Sequence, residues 1–391
     1  MGGFECADHL NVHGDRVNLA ATTGHLDQLA EDYKRVKSIG IQTVREGIRW
    51  SFVEKISGKY DWSEVERMLC LGQAAGVQQI WDICHFGYPQ DLSPLHPHFT
   101  RRFVAVCEAF VRFYRSVQPE GLLWVTPINE VSFISWLGGE ESGTTPYCTG
   151  MGWTIKYRLM AAYIEGIKAM RAIDAGVRIL TTEPLVNMVP PAAPTPEEVL
   201  LASAENDHQY QAMDMLCGRI CPELGGRPEL VDVLGFNFYY NNQWVMGFDS
   251  FLPWVNTAKD WRWRPLRDLL ADAHTRFGLP VALTETSHPK EHRPDWIRFI
   301  GSECAAAIRA GVPLEGVCIY PIIDRPDWND LSLWHQSGIW DRLASEGSRV
   351  EDRVLHAPSA EALAEAQQWV AAAQEERAEV LTPVERGLLQ I

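Results

Sequence analysis

The feature that most constrains the fold is a regular alternation of short apolar runs with longer amphipathic segments along the chain. In the amphipathic segments apolar side chains recur at helical spacing, and a glycine lies at or near the end of most of them. Strands are predicted at residues 3–7, 41–48, 77–84, 122–128, 177–182, 231–238, 281–285 and 316–321. Helices are predicted at residues 26–39, 62–75, 99–117, 153–175, 196–220, 266–277, 294–310 and 359–374.

Strands that alternate with helices in this way predict the α/β class and, more narrowly, a single (β/α)8 TIM barrel. The 391 residues lie within the range of such barrels when their loops carry insertions. We therefore predict one catalytic domain over residues 1–391, with a C-terminal helix and tail from about residue 359. A doubly wound open sheet is the competing architecture, but the glycine-rich phosphate loop that usually follows its first strand does not occur in the sequence.

The composition argues against some classes of binding partner. The formal net charge of −16 argues against nucleic acid and anionic membranes. No apolar run approaches the roughly 18 residues of a membrane span, and the N-terminal MGGFECADHL lacks a signal-peptide pattern. Nine cysteines scattered through apolar segments predict reduced thiols and a cytoplasmic protein, and Cys217 with Cys221, lacking a second pair, does not predict a zinc site. These features do not predict the oligomeric state.

Polar residues follow the ends of the predicted strands. In a parallel barrel the C-termini of all strands open at one face, so these side chains are expected to converge there. The strand at 122–128 leads into Asn129 and Glu130, and the strand at 281–285 ends in Glu285. Two carboxylates at strand ends are what retaining glycoside hydrolysis requires. The other polar residues at strand ends are Glu5, Asp8, Arg45, His85, Glu183, Asn237, Tyr239, Asp324 and Asp327.

Six segments, taken in order between about residues 40 and 330, resemble motifs of the family 1 glycoside hydrolases. Residues 126–131, TPINEV, are similar to the family's strand-four TFNEP, and residues 283–287, LTETS, are similar to its strand-seven ITENG. The remaining matches are VREGIRWSFV at 44–53 (YRFSISWSRI), CHFGYP at 84–89 (YHWDLP), DVLGFNFYY at 232–240 (DFLGLNYYT) and YPIIDRPDW at 320–328 (WSLLDNFEW). The family consists of (β/α)8 glycosidases, so the resemblance implies a barrel that hydrolyses a β-linked glycoside.

The resemblance assigns catalytic roles to four residues. Glu130 would be the general acid/base, and Glu285 would be the nucleophile of a two-step, retaining mechanism. In retaining enzymes the two carboxyl groups lie roughly 5–5.5 Å apart. Arg45 and Tyr239 would hydrogen-bond Glu285, which would orient this carboxylate and keep it ionised.

The resemblance also implies a pocket for the sugar. Asn129 would bind the 2-hydroxyl group, His85 and Asp327 would bind other hydroxyl groups, and Trp328 would stack on the ring. The predicted substrate-binding residues are Glu5, His85, Asn129, Asn237, Tyr320, Asp327 and Trp328. The partner would be a small-molecule glycoside or oligosaccharide, and neither a cofactor nor a metal ion is expected.

The pocket departs from the family where the outer hydroxyl groups of the sugar are expected to bind. The family's glutamate in FEW becomes Asp327, one methylene shorter, and the tryptophan that opens the strand-eight motif becomes Tyr320. The family's strand-one glutamine has no clear counterpart, and Glu5, Asp8 and His9 occupy that neighbourhood. These departures imply a different sugar or a different ring position. The sequence therefore predicts a β-glucosidase-like enzyme and does not determine its exact sugar.

Three alternatives remain open. A sugar-binding barrel without turnover is one, although a pure binder has no need of a charged pair that is costly to hold together. A metal-dependent barrel enzyme would use His85 with Asp or Glu ligands, but His96 and His98 lie in a proline-rich loop rather than on a strand. A transglycosylase would use the same two glutamates, and the sequence does not separate it from a hydrolase. The aglycone depends on the loops at 138–152 and 241–263 and is not predicted.

Overall fold

The structure, a computed structural model, describes residues 1–248, 250–255, 260–343, 349 and 352–380. In these residues the strands are β1 (Gly2–Gly3), β2 (Thr43–Gly47), β3 (Gln78–Cys84), β4 (Trp124–Ile128), β5 (Arg178–Ile179), β6 (Glu183–Pro184), β7 (Asn187–Val189), β8 (Leu234–Asn237), β9 (Gln243–Val245), β10 (Val281–Thr286), β11 (Leu314–Ile319), β12 (Trp340–Arg342) and β13 (Arg353–Leu355). The α-helices are α1 (Leu19–Thr22), α2 (Leu29–Ser38), α3 (Trp50–Val53), α4 (Ser63–Ala74), α5 (Phe99–Val117), α6 (Val131–Gly139), α7 (Gly152–Ile173), α8 (Pro196–His208), α9 (Gln211–Leu216), α10 (Leu266–Phe277), α11 (Arg293–Arg309) and α12 (Ala357–Val380).

Nine of these strands form one parallel sheet, in the order β5-β4-β3-β2-β1-β11-β10-β8-β6. The two strands at the ends of this order, β5 and β6, belong to one segment of the chain, residues 178–184: β5 pairs with β4, and β6 pairs with β8. A bridge between Leu180 and Val233 joins the residues between β5 and β6 to the start of the next barrel strand. The sheet therefore closes on itself, which confirms the predicted (β/α)8 TIM barrel over the described residues.

The barrel interior changes from apolar to polar along the strands. In the pairing of β2 with β3, Arg45 lies opposite Ile80 and Gly47 lies opposite Asp82, so Arg45, Ile80 and Asp82 share one face of the sheet. An apolar cluster separate from the main core consists of Ile80, Leu180, Val233 and Ala282. Asp82 lies two residues after Ile80 on β3, closer to the strand ends, and accepts a hydrogen bond from Arg45, so the charged groups begin beside this apolar cluster and continue towards the strand ends.

The helices cover the outside of the barrel because each presents an apolar stripe to the sheet. In α5, for example, Phe99, Phe103, Phe110 and Tyr114 recur at helical spacing and are buried. The C-cap of helix α10 is Gly278, whose φ of 70° is a conformation that glycine adopts without steric cost. The last helix, α12, packs along α11 and completes this layer.

The element boundaries follow the sequence pattern in some elements and depart from it in others. The helices α5 and α10 begin and end at the predicted residues. The first strand is shorter than predicted and pairs only over Gly2–Gly3, after which the chain enters the strand-end face. The helix predicted at 196–220 is two helices, α8 and α9, because the chain turns at Gln209, whose side chain accepts a hydrogen bond from Val186 N at 2.9 Å.

Short elements were not evident from the pattern. The helix α6 follows Glu130 directly, in a stretch too short to show helical periodicity. The strand β9 lies inside the predicted loop at 241–263 and pairs with β7. Residues 249 and 256–259 of that loop, and the predicted tail beyond residue 380, lie outside the described residues. None of the helices in the described part of the chain has the length and apolar character needed to cross a membrane.

Candidate active site

Glu130 and Glu285 both lie at the C-terminal end of the barrel. Glu285 is the next-to-last residue of β10 and is 4% exposed. Glu130 follows β4 and precedes α6 with a left-handed φ of 45°, a strained conformation for a residue other than glycine. Two backbone hydrogen bonds hold it there: Glu130 N donates to Thr182 O at 2.8 Å, and Ile134 N donates to Glu130 O at 2.9 Å. The turn between strand and helix therefore sets the direction of the Glu130 side chain.

The Glu285 carboxylate is held by donors from two other strand ends. Arg45 Nη1 donates to Oε1 at 2.9 Å, and the Tyr239 hydroxyl donates to Oε2 at 2.7 Å. Arg45 Nη1 also donates to Thr284 O at 2.9 Å. Both carboxylate oxygens have a fixed partner, and one of these bonds is charge-assisted and therefore strong. The contacts of Arg45 and Tyr239 with Glu285 that the sequence predicts are present.

Glu130 has a different environment. Asn237 Nδ2 donates to Glu130 Oε1 at 2.9 Å, and Asn237 Oδ1 accepts from the Thr284 hydroxyl at 2.7 Å. Burial raises the pKa of Glu130 to about 8, and the negative charge of Glu285 adds to the rise, while the Asn237 hydrogen bond acts against it. Its surroundings therefore favour the protonated form of Glu130. The structure places Asn237, a predicted substrate-binding residue, against this carboxyl group.

Asp82, absent from the predicted site, connects Arg45 to His85. Its Oδ2 accepts from Arg45 Nη2 at 2.6 Å and lies 2.8 Å from His85 Nδ1, which donates because a carboxylate only accepts. Burial would raise the pKa of Asp82, but the Arg45 charge and the His85 contact hold that pKa below its ordinary value. A lone acidic residue inside an apolar strand, as in VQQIWDIC, is the sequence signal for such a buried pair.

Four predicted substrate-binding residues lie together beside this network. Asn129 Oδ1 accepts from Arg45 Nη2 at 3.0 Å, and this turns Asn129 Nδ2 towards His85 Nε2 at 3.3 Å. The Tyr320 hydroxyl lies 3.3 Å from the same His85 nitrogen and donates to Glu5 Oε1 at 3.2 Å. Asn129, His85, Tyr320 and Glu5 thus form one connected wall that is anchored on Arg45.

Asp327 is a predicted substrate-binding residue that lies outside this wall. Its Oδ1 accepts from Asn329 N at 2.8 Å and from Asp330 N at 3.2 Å, and its Oδ2 lies 3.3 Å from His335 Nε2. Both carboxylate oxygens are therefore engaged within the loop after β11. The short side chain of aspartate favours such hydrogen bonds with the backbone that follows it.

Trp328 belongs to an aromatic cluster next to the site. Its ring centroid lies 4.9 Å from that of His9, 5.5 Å from that of Phe86 and 6.1 Å from that of Phe133. Arg325 covers one face of the indole, with Cζ 5.3 Å from the ring centroid. The face of the indole that Arg325 covers is therefore closed to a stacking sugar ring.

Comparison with solved structures identifies the fold. The β-glucosidase from Thermotoga maritima in complex with glucoimidazole superposes with a TM-score of 0.72 and 15% sequence identity, over 89% of this chain and 88% of that chain. The AHE enzyme from Alicyclobacillus herbarius superposes with a TM-score of 0.71 and 16% identity, over 89% and 88% of the two chains. The fold is that of a β-glucosidase-like barrel.

A further similar structure is the family 1 β-glucosidase from Thermotoga maritima in complex with isofagomine lactam, with a TM-score of 0.70, 16% identity and coverage of 90% of this chain and 88% of that chain. The sequence itself matches no model of a protein family. No curated protein matches it in a sequence comparison either. The likeness therefore lies in the three-dimensional structure, at an identity where fold persists after most side chains have changed.

Glu183, the first residue of β6, is a second buried carboxyl group near Glu130. It is 2% exposed and accepts from Ser132 N, at the start of α6, at 3.1 Å. Burial raises the pKa of Glu183 to about 7, although the Ser132 contact and the charge of Lys156 act against this rise. The charge of Glu183 in turn contributes to the raised pKa of Glu130. A second titrating group thus lies behind the strained turn that carries Glu130.

Among the described residues, the side chains with the spacing of metal ligands are Cys6, Asp82 and His85, whose ligand atoms lie within 4.8 Å of one another. Their chemistry does not fit a metal ion well. Asp82 Oδ2 already pairs with Arg45, and a divalent cation there would be repelled by the guanidinium. Burial raises the pKa of the Cys6 thiol to about 11, whereas metal ligation requires the thiolate. The donor set therefore does not favour the metal-dependent alternative.

Proposed function

We propose that the protein is a retaining β-glycosidase in which Glu130 is the general acid/base and Glu285 is the nucleophile. The observation that carries the proposal is the contrast between the two carboxyl groups. Glu285 accepts hydrogen bonds from Arg45 and Tyr239, whereas burial and the charge of Glu285 raise the pKa of Glu130 to about 8. Two carboxyl groups whose surroundings differ in this way suit the roles of an acid and a nucleophile. The structural likeness to β-glucosidases supports the same chemistry.

In the first step the Glu285 carboxylate would attack the anomeric carbon while Glu130 gives its proton to the glycosidic oxygen. The bond between the anomeric carbon and this oxygen breaks, the aglycone leaves as an alcohol, and the sugar becomes an ester of Glu285. Arg45 and Tyr239 hold the attacking carboxylate in one orientation, so little rearrangement is needed on the way to the transition state.

In the second step the roles of Glu130 reverse for a physical reason. Ester formation removes the negative charge of Glu285, which is one cause of the raised pKa of Glu130. The pKa of Glu130 therefore falls just after this residue has lost its proton, and the carboxylate can act as a base. Glu130 takes a proton from water while the water oxygen attacks the anomeric carbon and displaces Glu285, which gives net retention.

The proposal is tested with p-nitrophenyl β-glycosides of glucose, galactose, fucose, xylose and mannose. Glu285→Ala should abolish turnover, and added azide should restore it with the α-glycosyl azide as product, because azide then replaces the nucleophile. Glu130→Ala should instead give the β-glycosyl azide, since the covalent intermediate still forms. Glu315→Ala, which removes an exposed glutamate of β11, is the matched control and should leave turnover unchanged.

The alternative functions predict different results with the same substrates. Sugar binding without turnover, measured by calorimetry, would favour the silent sugar-binding barrel. Transfer of the sugar to an added alcohol, with little or no hydrolysis when water is the only acceptor, would favour a transglycosylase. Turnover that survives in Glu285→Ala would exclude Glu285 as the nucleophile.

A further inference from the structure

Arg325 brings a cation to the wall of predicted substrate-binding residues. Its Nε lies 3.1 Å from Glu5 Oε2, and Glu5 Oε1 accepts from the Tyr320 hydroxyl and lies 3.9 Å from His85 Nε2. The guanidinium also covers one face of Trp328. Arg325 therefore contacts the wall at the point where the sequence predicts hydroxyl-binding groups.

The two acids expected to bind hydroxyl groups here are already engaged. Glu5 uses Oε1 for Ala7 N and the Tyr320 hydroxyl, and Oε2 for Arg325. Both oxygens of Asp327 are held within its own loop. A neutral sugar donates hydrogen bonds through its hydroxyl groups as well as accepting them, and this side of the pocket leaves it few acceptors.

A hydrogen-bond donor, in contrast, is available at the same place. No described residue accepts a hydrogen bond from Arg325 Nη2, and the Arg325 side chain is 20% exposed. Trp328 Nε1 and His9 Nδ1 also have no hydrogen-bond partner among the described residues, but both atoms are fully buried, so Arg325 is the donor that a ligand can reach. This side of the pocket is therefore suited to a ligand group that accepts hydrogen bonds and carries negative charge.

We propose that the sugar bound here carries a carboxylate, as a hexuronic acid does, and that Arg325 binds it; this inference rests on the proposed glycosidase function. A carboxylate has acceptors only, and its two oxygens match the paired N–H groups of a guanidinium. A phosphate monoester offers the same acceptors with a larger charge. Because the pocket already contains the carboxyl groups of Glu5 and Glu285, it repels a dianion more strongly than a monoanion.

The test compares kcat/KM for p-nitrophenyl β-D-glucuronide, β-D-glucoside and β-D-glucoside 6-phosphate. We expect the wild type to prefer the glucuronide, and Arg325→Met to lower the ratio of glucuronide to glucoside activity by about 100-fold, the worth of a charge-assisted pair. Arg342→Met is the matched control. It removes an exposed guanidinium that stacks on Trp334, and it should leave the ratio unchanged.

Glu5→Gln provides a second variant with the opposite expected effect. It keeps an acceptor for the Tyr320 hydroxyl but removes the charge that competes for Arg325, so the ratio should rise by about 10-fold. This variant keeps the proposal testable if Arg325→Met does not fold.

The outcomes separate the inference from the proposed function. Efficient cleavage of the neutral glucoside, with a ratio that neither variant changes, would overturn the inference and leave the glycosidase function standing. A preference for the 6-phosphate would overturn the carboxylate assignment. If the wild type cleaves no glycoside of any kind, the proposed function fails and the inference fails with it.

Discussion

Arg45 Nη1 lies 2.9 Å from Glu285 Oε1, although 240 positions separate the two residues in the chain. The same guanidinium donates to Asp82 at 2.6 Å and to Asn129 at 3.0 Å. One buried cation on β2 therefore fixes groups from β3, from the end of β4 and from β10. Because each of these groups comes from a different strand, the arrangement depends on closure of the barrel.

Loss of the Arg45 charge should damage both stability and activity. Arg45→Met leaves the buried Asp82 and Glu285 without their counter-charge, and removal of one partner from a buried pair costs about 3–5 kcal/mol in the free energy of unfolding. We expect kcat/KM to fall by at least about 100-fold, because Glu285, the proposed nucleophile, loses its orientation. Urea denaturation and aryl glycoside kinetics measure the two effects.

A matched control for this variant is Arg112→Met. Arg112 pairs with Glu108 on the exposed surface of α5, and such pairs contribute about 1 kcal/mol or less. If the two variants lost equal stability, the buried network would not be the anchor of the site. Arg45→Lys, which keeps the charge but not the forked geometry, should give an intermediate activity.

The raised pKa of Glu130 predicts how stability changes with pH. The folded-state pKa is about 8, against an ordinary value of 4.5, so between these values the folded protein retains a proton that the unfolded chain releases. Glu130 therefore lowers the stability progressively as the pH rises through this window. In Glu130→Gln, which cannot ionise, this loss is absent.

The measurement is the Tm of wild type and Glu130→Gln as a function of pH. The variant should be the more stable protein near pH 8, and the two Tm values should converge towards pH 4.5. A Tm difference that is the same at both ends of the window would contradict a raised pKa for Glu130.

Asn237 should control the alkaline limit of activity through its hydrogen bond to Glu130. This bond favours the ionised form of Glu130, so Asn237→Ala should raise the pKa of Glu130 further. In the proposed mechanism Glu130 must be protonated to act as the acid, so the alkaline limb of the kcat/KM profile should move to higher pH, with a loss of about 10-fold in kcat. Thr284→Val removes the hydroxyl that orients Asn237 and should move the limb in the same direction by less. An unmoved limb in both variants would mean that Asn237 does not act on Glu130.

The sequence predicts those parts of the fold and site that depend on periodicity and on convergence of strand ends. Glu130 and Glu285 end apolar runs, so their common face follows from the barrel alone. The contact of Arg45 with Glu285 was anticipated from the resemblance to the glycosidase family, and the structure contains it.

The remaining features depend on hydrogen bonds that no pattern encodes. The pairing of Asp82 with Arg45 requires the register of β2 against β3, which the sequence does not supply. Asp327 turns into its own loop because nearby backbone N–H groups satisfy its carboxylate, and a loop of this kind has no periodicity. Glu5 and Arg325, whose charges meet at the wall of predicted substrate-binding residues, become a pair only once both loops are in place.

Glu183 should set the upper pH limit of activity together with Glu130. Burial raises the pKa of Glu183 to about 7, so this residue is charged only above that pH, and its charge adds to the raised pKa of Glu130. In Glu183→Gln the charge is absent at every pH, while the amide oxygen can still accept from Ser132 N. The pKa of Glu130 should therefore fall, and the alkaline limb of kcat/KM should move to lower pH, with little change well below pH 7. Glu183→Ala also leaves Ser132 N without its acceptor and should lower the Tm, so a limb that moves in this variant alone would assign the effect to the hydrogen bond rather than to the charge.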